Sequence, residues 1–150
     1  MTAGLEPSVI LRAAELSDAP ALASLLGELG YPSAVADVRA RLTRLLAAAA
    51  DDVIVAVRPP TEVLGLLSLH RFAAIHATAE VAMIAALVVA EGARGAGVGR
   101  RLVERAEAIA HEHGCAHLMV TTHVRRADAH TFYERLGFEL TGRRYVKALG

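Results

Sequence analysis

The chain has little of several residue types on which specialised proteins depend. Its 150 residues include one cysteine, Cys115, and no tryptophan, which excludes an intrachain disulfide framework and a multi-cysteine zinc site. Sixteen basic residues balance sixteen acidic ones, so no basic surplus predicts a nucleic-acid partner. The longest uncharged run, residues 81–90, is about half of the ~20 apolar residues that span a membrane. We therefore expect a protein without metal, nucleic-acid or membrane partners.

The amino-terminal residues lack the basic start and apolar core of a secretion signal. Together with the single cysteine, this favours a reducing compartment and a cytoplasmic location. The length suits one domain spanning residues 1–150. These expectations concern the cellular location and the number of domains, and they do not indicate the function.

Strand and helix patterns alternate along the chain. Apolar patterning predicts six strands and four helices. Residues 80–89 are apolar on both faces, as in a central strand, and the stretch 80–123 is long enough for a parallel crossover. The middle of the chain reads as antiparallel hairpins, so the pattern predicts a mixed α/β sheet. The predicted strands are 9–14, 53–57, 62–72, 80–89, 117–123 and 138–148, and the helices are about 18–29, 33–49, 98–113 and 127–136.

A glycine-rich loop, residues 94–99 (RGAGVG), lies between the apolar strand and an amphipathic helix. Alternate glycines leave room for backbone amides to approach a ligand, and the helix start adds unpaired N–H groups and a positive dipole end. Arg94 and Arg100 can add charge-assisted hydrogen bonds. The pattern fits neither the dinucleotide fingerprint nor the P-loop. It predicts a phosphate site, and the alternative is a plain strand-to-helix turn.

Two blocks of sequence together resemble the GNAT superfamily of N-acetyltransferases. The first is Arg94-x-x-Gly97-x-Gly99 after residues 87–89 (LVV), and the second is residues 129–138 (AHTFYERLGF). The interval between the blocks and the order of elements also agree, over essentially the whole domain. The chain departs from the family at Glu91, where proline is frequent, and at Arg126, where asparagine is frequent.

The resemblance implies a fold and a cofactor. The fold is a mixed, mostly antiparallel sheet of six to seven strands flanked by about four helices, in which two splayed parallel strands hold acetyl-CoA. The pyrophosphate would lie on the amides of residues 95–100, and a backbone N–H near Val89 would polarise the acetyl carbonyl. The cofactor-binding residues that it implies are Leu87, Val88, Val89, Arg94, Gly95, Ala96, Gly97, Val98, Gly99, Arg100, Arg126 and Tyr133.

The resemblance also implies direct transfer of the acetyl group to a primary amine of a small molecule or peptide, without an acyl-enzyme. By the family match Tyr133 protonates the leaving thiolate, since a phenol stays protonated at neutral pH; the alternative is a packing role beside Phe132. Glu80, with apolar neighbours in the sequence, is the expected base. The alternatives for the base are His70, His76, His123 or a chain of waters.

Two other functions stay open at this point. One is a catalytically silent acyl-CoA-binding sensor or partner module of the same fold. The other is an unrelated nucleotide-phosphate-binding protein that uses only the glycine loop. A homodimer is expected only because the resemblance implies it, since members of the family are often dimers.

Overall fold

The protein folds around a single mixed sheet. The computed structural model describes residues 9–121 and 127–150, and within them five strands lie in the order β1-β2-β3-β4-β5. The first four strands pair antiparallel, and β4 pairs with β5 in parallel, as the sequence predicts. The strands are β1 (Ile10–Ala13), β2 (Asp51–Arg58), β3 (Glu62–Phe72), β4 (Val81–Val89) and β5 (His117–Val120), and the helices are α1 (Ala19–Leu29), α2 (Val35–Ala47), α3 (Val98–Glu112) and α4 (Ala127–Arg135).

Helices cover the two faces of the sheet unequally. On one face, called the α3 face here, Leu102 of α3 is fully buried with Leu67 and Leu69 of β3. On the other, the α1/α2 face, the two helices bury a second cluster that includes Leu22 and Val55. Helix α3 approaches β3 closely because residue 65 is glycine: a Cβ there would lie 3.1 Å from Leu102 Cδ1. The sheet therefore separates two apolar cores and contributes side chains to both.

An extra residue interrupts β4 in the middle of the sheet. Ile84 is opposite Leu69 on β3, but Ser68 is opposite Ala86, so Ala85 forms a β-bulge. The parallel ladder with β5 runs from Val81 to Ile84 and has no pair beyond it among the described residues. A bulge bends and twists its strand. Among the described residues, the parallel ladder therefore ends just before the bent residue Ala85.

A partly buried ion pair ties the start of α1 to β1. The Asp18 carboxylate accepts hydrogen bonds from Arg12 Nη1 and Nη2 at 2.8 and 2.9 Å, and from the Glu15 amide at 2.7 Å. The hydrogen bonds from Arg12 lower the pKa of Asp18, against the opposing effect of burial, and the same contact raises the pKa of Arg12. This pair fixes where the chain turns from the sheet into the α1/α2 layer.

The predicted strand count is too high. Residues 138–148 were expected to close the sheet, yet among the described residues this segment joins no ladder. Beyond Phe138 its large apolar side chains are exposed, including Leu140 and Tyr145, and Arg144 Nη1 contacts Thr121 Oγ1, next to the end of β5, at 3.3 Å. Alternating residues favour extended backbone, but a strand also needs a neighbour for its N–H and C=O groups.

Candidate active site

After the bulge, the side of β4 that faces away from β3 has no strand partner among the described residues, and this side of residues 85–89 is called the opening here. The Ala90 amide donates to Leu64 O at 2.8 Å, and in an antiparallel ladder such pairs alternate with residues whose backbone groups point the other way. The N–H groups of Leu87 and Val89 therefore point away from β3, towards the side where β5 no longer pairs with β4 in the described chain. An extended ligand can pair with a strand edge of this kind.

The glycine loop lies at the end of this opening. Gly95 and Gly97 have φ of 85° and 84°, the left-handed region that side chains with a Cβ adopt at a cost. Gly97 is the N-cap of α3, and the first intrahelical bond runs from the Arg101 amide to Gly97 O. The amides of residues 98–100 precede that bond, so they are available to an anion.

Gly99 has a different role from the one expected of it. A Cβ at Gly99 would lie 3.2 Å from Phe132 Cζ and 3.5 Å from Val89 Cγ2. The glycine therefore makes room for α4 against the start of α3 and the end of β4. The sequence suggested three glycines that serve a ligand, whereas the structure divides them into two for backbone conformation and one for packing.

Arg94 lies across the mouth of the opening. Its Nε donates to Val89 O at 3.1 Å, and its Nη2 is 3.9 Å from Glu28 Oε1 of α1. Glu28 also accepts a hydrogen bond from the Glu91 amide at 2.9 Å. Glu28 thus joins the α1/α2 layer to the loop, a link that no local sequence pattern indicates because the two residues are far apart in the chain.

Arg100 and Arg101 are consecutive at the start of α3, and Arg100 is the one that faces the loop and α4. Arg101 donates to Val9 O at 2.8 Å, whereas Arg100 is largely exposed and lies 3.4 Å from Glu104 Oε2. A cavity of about 220 Å³ adjoins it. Two guanidinium groups and one carboxylate line that cavity, a balance that favours an anion. The lining residues are Arg100, Asp128, Thr131, Phe132, Arg135 and Leu136.

Tyr133 stands in an aromatic group beside the opening. Its ring makes edge contacts with Phe132 and Phe138, with centroids 5.1 and 5.5 Å apart. All three rings pack against the α3-face core, with Leu87 and Val89 around the same core. Such edge-to-face contacts fix the orientation of a ring. The structure therefore brings Tyr133 to the α3 side of the opening, where its neighbour Phe132 and Val89 both lie close to Gly99.

Glu80 is paired with an arginine, which the apolar residues next to it in the sequence do not indicate. Its Oε1 accepts a hydrogen bond from Arg71 Nη1 at 3.0 Å, and Arg71 also donates to Ala49 O at 2.8 Å. Glu80 precedes β4, five residues before Ala85, a distance of roughly 16 Å at ~3.3 Å per residue. The expectation of an apolar environment is wrong, because a buried guanidinium lies against this carboxylate.

His70 has an acidic partner that the sequence does not suggest. His70 Nδ1 is 2.9 Å from Asp51 Oδ1, and the imidazole stacks on Phe72 with centroids 5.8 Å apart. Asp51 lies outside the predicted strand 53–57, but it begins β2 opposite His70. The two residues are 19 positions apart, so the register of β2 with β3 makes the pair.

The other sequence candidates have plainer positions. His76 is exposed in the loop before β4, and Cys115 packs partly buried against the α3-face core, as a small core residue should. His123 and Arg126 lie outside the described residues. Within residues 9–121 and 127–150, no three His, Cys, Asp or Glu side chains are grouped to hold a metal ion. Over the same residues, no helix combines the length and apolarity needed to cross a membrane.

Known proteins resemble this chain in sequence and in fold. A family model described as the acetyltransferase (GNAT) family matches residues 22–138. The aminoalkylphosphonate N-acetyltransferase of Salmonella typhimurium is 36% identical over 88 residues, which are 59% of this chain and 57% of that relative. An acetyltransferase structure from Trypanosoma brucei has 26% identity and a TM-score of 0.81, covering 94% of this chain and 99% of that one. A transcriptional regulator from Bacillus halodurans has 28% identity, the same TM-score of 0.81 and the same coverage.

The mixed sheet with its parallel pair β4–β5, the glycine loop before α3 and the aromatic helix α4 are the features that the two sequence blocks predict. The family model covers well over half of the chain, and the residues that it matches include all of these features. The chain belongs to the GNAT acetyltransferase family.

Proposed function

We propose that the protein transfers an acetyl group from acetyl-CoA to the primary amine of a small molecule or peptide, in a ternary complex. The observation that carries this proposal is the opening at Ala85, which leads from β4 amides that point away from β3 to the helix start at residues 97–100. Membership of the family supports the same cofactor.

In this proposal each part of the opening has one task. The amides of residues 95–100, with Arg94 and Arg100, bind the pyrophosphate and ribose phosphate. The backbone of Leu87 and Val89 pairs with the arm, and an N–H of this edge polarises the acetyl carbonyl. Tyr133 donates its phenolic proton to the sulfur as the C–S bond breaks.

Acetyl-CoA affinity tests the loop directly. Gly97→Ala places a Cβ on a residue with φ of 84° and should shift the amides of the helix start. We expect its Kd for acetyl-CoA, measured by calorimetry, to rise at least about tenfold, the loss of ~1.4 kcal/mol of binding energy. Gly92→Ala is the matched control, since Gly92 has open space and no positive φ. Equal affinities in wild type and Gly97→Ala would refute the loop as the phosphate site.

An amine panel tests the activity. Thiol release from acetyl-CoA would be followed with aminomethylphosphonate, 2-aminoethylphosphonate, phenethylamine and a short peptide with an unblocked amino terminus. The phosphonates are chosen because the Salmonella relative is named for that class. Turnover with any of these amines supports the proposal. Binding of acetyl-CoA without turnover would favour the silent module, and stabilisation by ATP or NAD instead would favour a nucleotide-binding protein.

We extend the proposal to a homodimer. Residues 138–150 expose large apolar side chains that a second copy of the chain could cover, namely Leu140, Tyr145, Val146 and Leu149. Exposed apolar segments are characteristic of interaction sites. Light scattering should give twice the chain mass, and Leu140→Ser with Val146→Ser should return a monomer. A wild-type monomer at micromolar concentration would refute the dimer. A cytoplasmic location stays a prediction.

A further inference from the structure

The acceptor amine must approach the opening from the α1/α2 face. The α3 face is closed near the opening by Phe132 and Tyr133, which pack on the core beneath α3. On the α1/α2 face, the helices cover the half of the sheet around Val55, Leu66 and Val88. They leave the other half partly exposed, and Phe72 and Met83 there belong to neither core cluster.

This uncovered half of the α1/α2 face is defined by cross-strand pairs. Residues opposite each other on neighbouring strands point to the same face, so His70 lies beside Met83, and Met83 beside Met119. Ser68 lies beside Ala86, the residue after the bulge. His70 is two positions from Ser68, or roughly 7 Å along the strand. The imidazole is therefore one strand repeat from the opening, on the side from which the amine arrives.

Asp51 sets the state of the imidazole. A carboxylate can only accept a hydrogen bond, so at 2.9 Å from Asp51 Oδ1 the Nδ1 of His70 carries the hydrogen. In the neutral ring this leaves the lone pair on Nε2. The Asp51 side chain is only 15% exposed whereas that of His70 is 40% exposed. The carboxylate is thus held within the sheet, and the ring that it orients can reach solvent and a ligand.

Few other charges face this pair. Along β3 and β4, Arg71 and Glu80 fall on the α3 face by alternation and bond to each other. On β5, His117 also points to the α1/α2 face. It is paired with Val81, which is paired with Phe72, and Phe72 is two residues after His70 and therefore on the same face. The charged group in contact with His70 is Asp51. A catalytic His that is oriented by a carboxylate is a recurrent arrangement for taking a proton from a nucleophile.

We propose that His70, positioned by Asp51, is the group that accepts the proton from the acceptor ammonium, an assignment that rests on the proposed acetyl transfer. The ammonium N–H bond breaks and a His70 Nε2–H bond forms, which leaves the amine lone pair on nitrogen. That pair forms the C–N bond as the C–S bond breaks. The nitrogen then loses a second proton, which passes to the Tyr133 phenolate and replaces the proton that Tyr133 gave to sulfur. One proton is released to solvent overall, through His70.

The base and the acid then lie on opposite faces of the sheet. His70 meets the amine on the α1/α2 face, and Tyr133 meets the sulfur from the α3 face. This separation keeps the proton taken from the amine away from the phenol that must donate. Glu80 lies on the face away from the arriving amine and is bonded to Arg71, so the assignment passes from Glu80 to His70.

The test compares His70→Gln and Asp51→Asn with Glu80→Gln and the control His111→Gln, an exposed residue in the last turn of α3. The kcat/KM for the four probe amines is measured from pH 5 to 9, with the Kd for acetyl-CoA. We expect His70→Gln to lose about a hundredfold in kcat/KM and to lose the acidic limb of the profile, with the Kd for acetyl-CoA unchanged. Asp51→Asn should lose less, mainly in kcat, and shift that limb. Glu80→Gln and His111→Gln should keep the wild-type profile.

A second measurement needs no amine. Nitrogen-15 shifts of the His70 ring should show a protonated Nδ1 and a bare Nε2 in the wild type, and a mixture of tautomers in Asp51→Asn. A wild-type profile in His70→Gln, loss of the acidic limb in Glu80→Gln, or an Nε2–H tautomer would each overturn the assignment. If the wild type binds acetyl-CoA but acetylates none of the probe amines, the proposed function fails, and the ring tautomer still decides whether His70 presents a proton acceptor.

Discussion

The two halves of β4 differ in how they are paired. Residues 81–84 have β3 on one side and β5 on the other, whereas residues 85–89 pair with β3 alone in the described chain. Both halves have the apolar composition of a central strand. In the first half, the apolar side chains are buried between the neighbouring strands and the helices. In the second half, the backbone N–H groups of Leu87 and Val89 point into the proposed binding site for the cofactor arm. A single extra residue, Ala85, separates a structural half from a binding half.

This difference predicts that removing a side chain lowers mainly the free energy of unfolding in the first half and mainly the affinity for acetyl-CoA in the second. Ile84→Ala removes a buried side chain, 2% exposed, from the α3-face core and should lower the free energy of unfolding by about 2–5 kcal/mol. Leu87→Ala, in the partly exposed half, should cost about 1 kcal/mol but raise the Kd for acetyl-CoA more than Ile84→Ala does. Urea denaturation and calorimetry measure both. Equal effects on both quantities would remove the distinction.

Tyr133→Phe sharpens the comparison at the binding half. The ring and its contacts with Phe132 and Phe138 stay, and only the hydroxyl is lost. We expect kcat to fall about a hundredfold while the Kd for acetyl-CoA and the unfolding free energy change little. Tyr145→Phe is the control, since Tyr145 is 90% exposed in the tail. An unchanged kcat would leave Tyr133 with a packing role alone.

Asp18→Asn weakens the fold far from the binding half. It removes the ionised partner of Arg12 and should cost about 1–3 kcal/mol at pH 7. Because the pKa of Asp18 is lowered on folding, its stabilisation is complete above about pH 4 and is lost as the pH falls further. The difference in unfolding free energy between wild type and variant should therefore narrow as the pH falls below about 4 in urea denaturation. The Kd for acetyl-CoA at pH 7 should not move; a large rise would mean that the two regions are coupled.

Gly99→Ala should have a small effect on both stability and acetyl-CoA affinity. The new Cβ would press on Phe132 Cζ at 3.2 Å, and repacking α4 should cost on the order of 1 kcal/mol. Since Tyr133 is on the same helix, we expect kcat to fall severalfold while the Kd for acetyl-CoA stays within about threefold, a change of ~0.6 kcal/mol. The reverse pattern, with Kd lost and kcat kept, would return Gly99 to a role in ligand approach.

Much of this fold is visible in local patterns. The continuous apolar run of β4 and the amphipathic α3 predict a central strand and a covering helix, and the structure confirms them. The loop at 94–99 and the aromatic block around Tyr133 also indicate the family, which the family model confirms. These features are local because burial on two faces, helical periodicity and glycine conformations depend on a few consecutive residues.

The remaining features depend on which segments lie side by side. The Asp51–His70 pair, the Glu28 contact with the loop and the packing role of Gly99 each join residues that are distant in the chain. The missing closing strand is an error of the same kind, since alternation predicted an extended segment but not a partner for it.

Local composition was thus enough to specify five strands, four helices and a glycine-rich turn before α3. The tertiary structure alone decided where the described ladder of β4 with β5 ends and which side chains meet across β2 and β3. The physical reason is that a strand's register is chosen by the fit of whole faces and by a bulge. One inserted residue changes which side chains and which backbone groups face the opening.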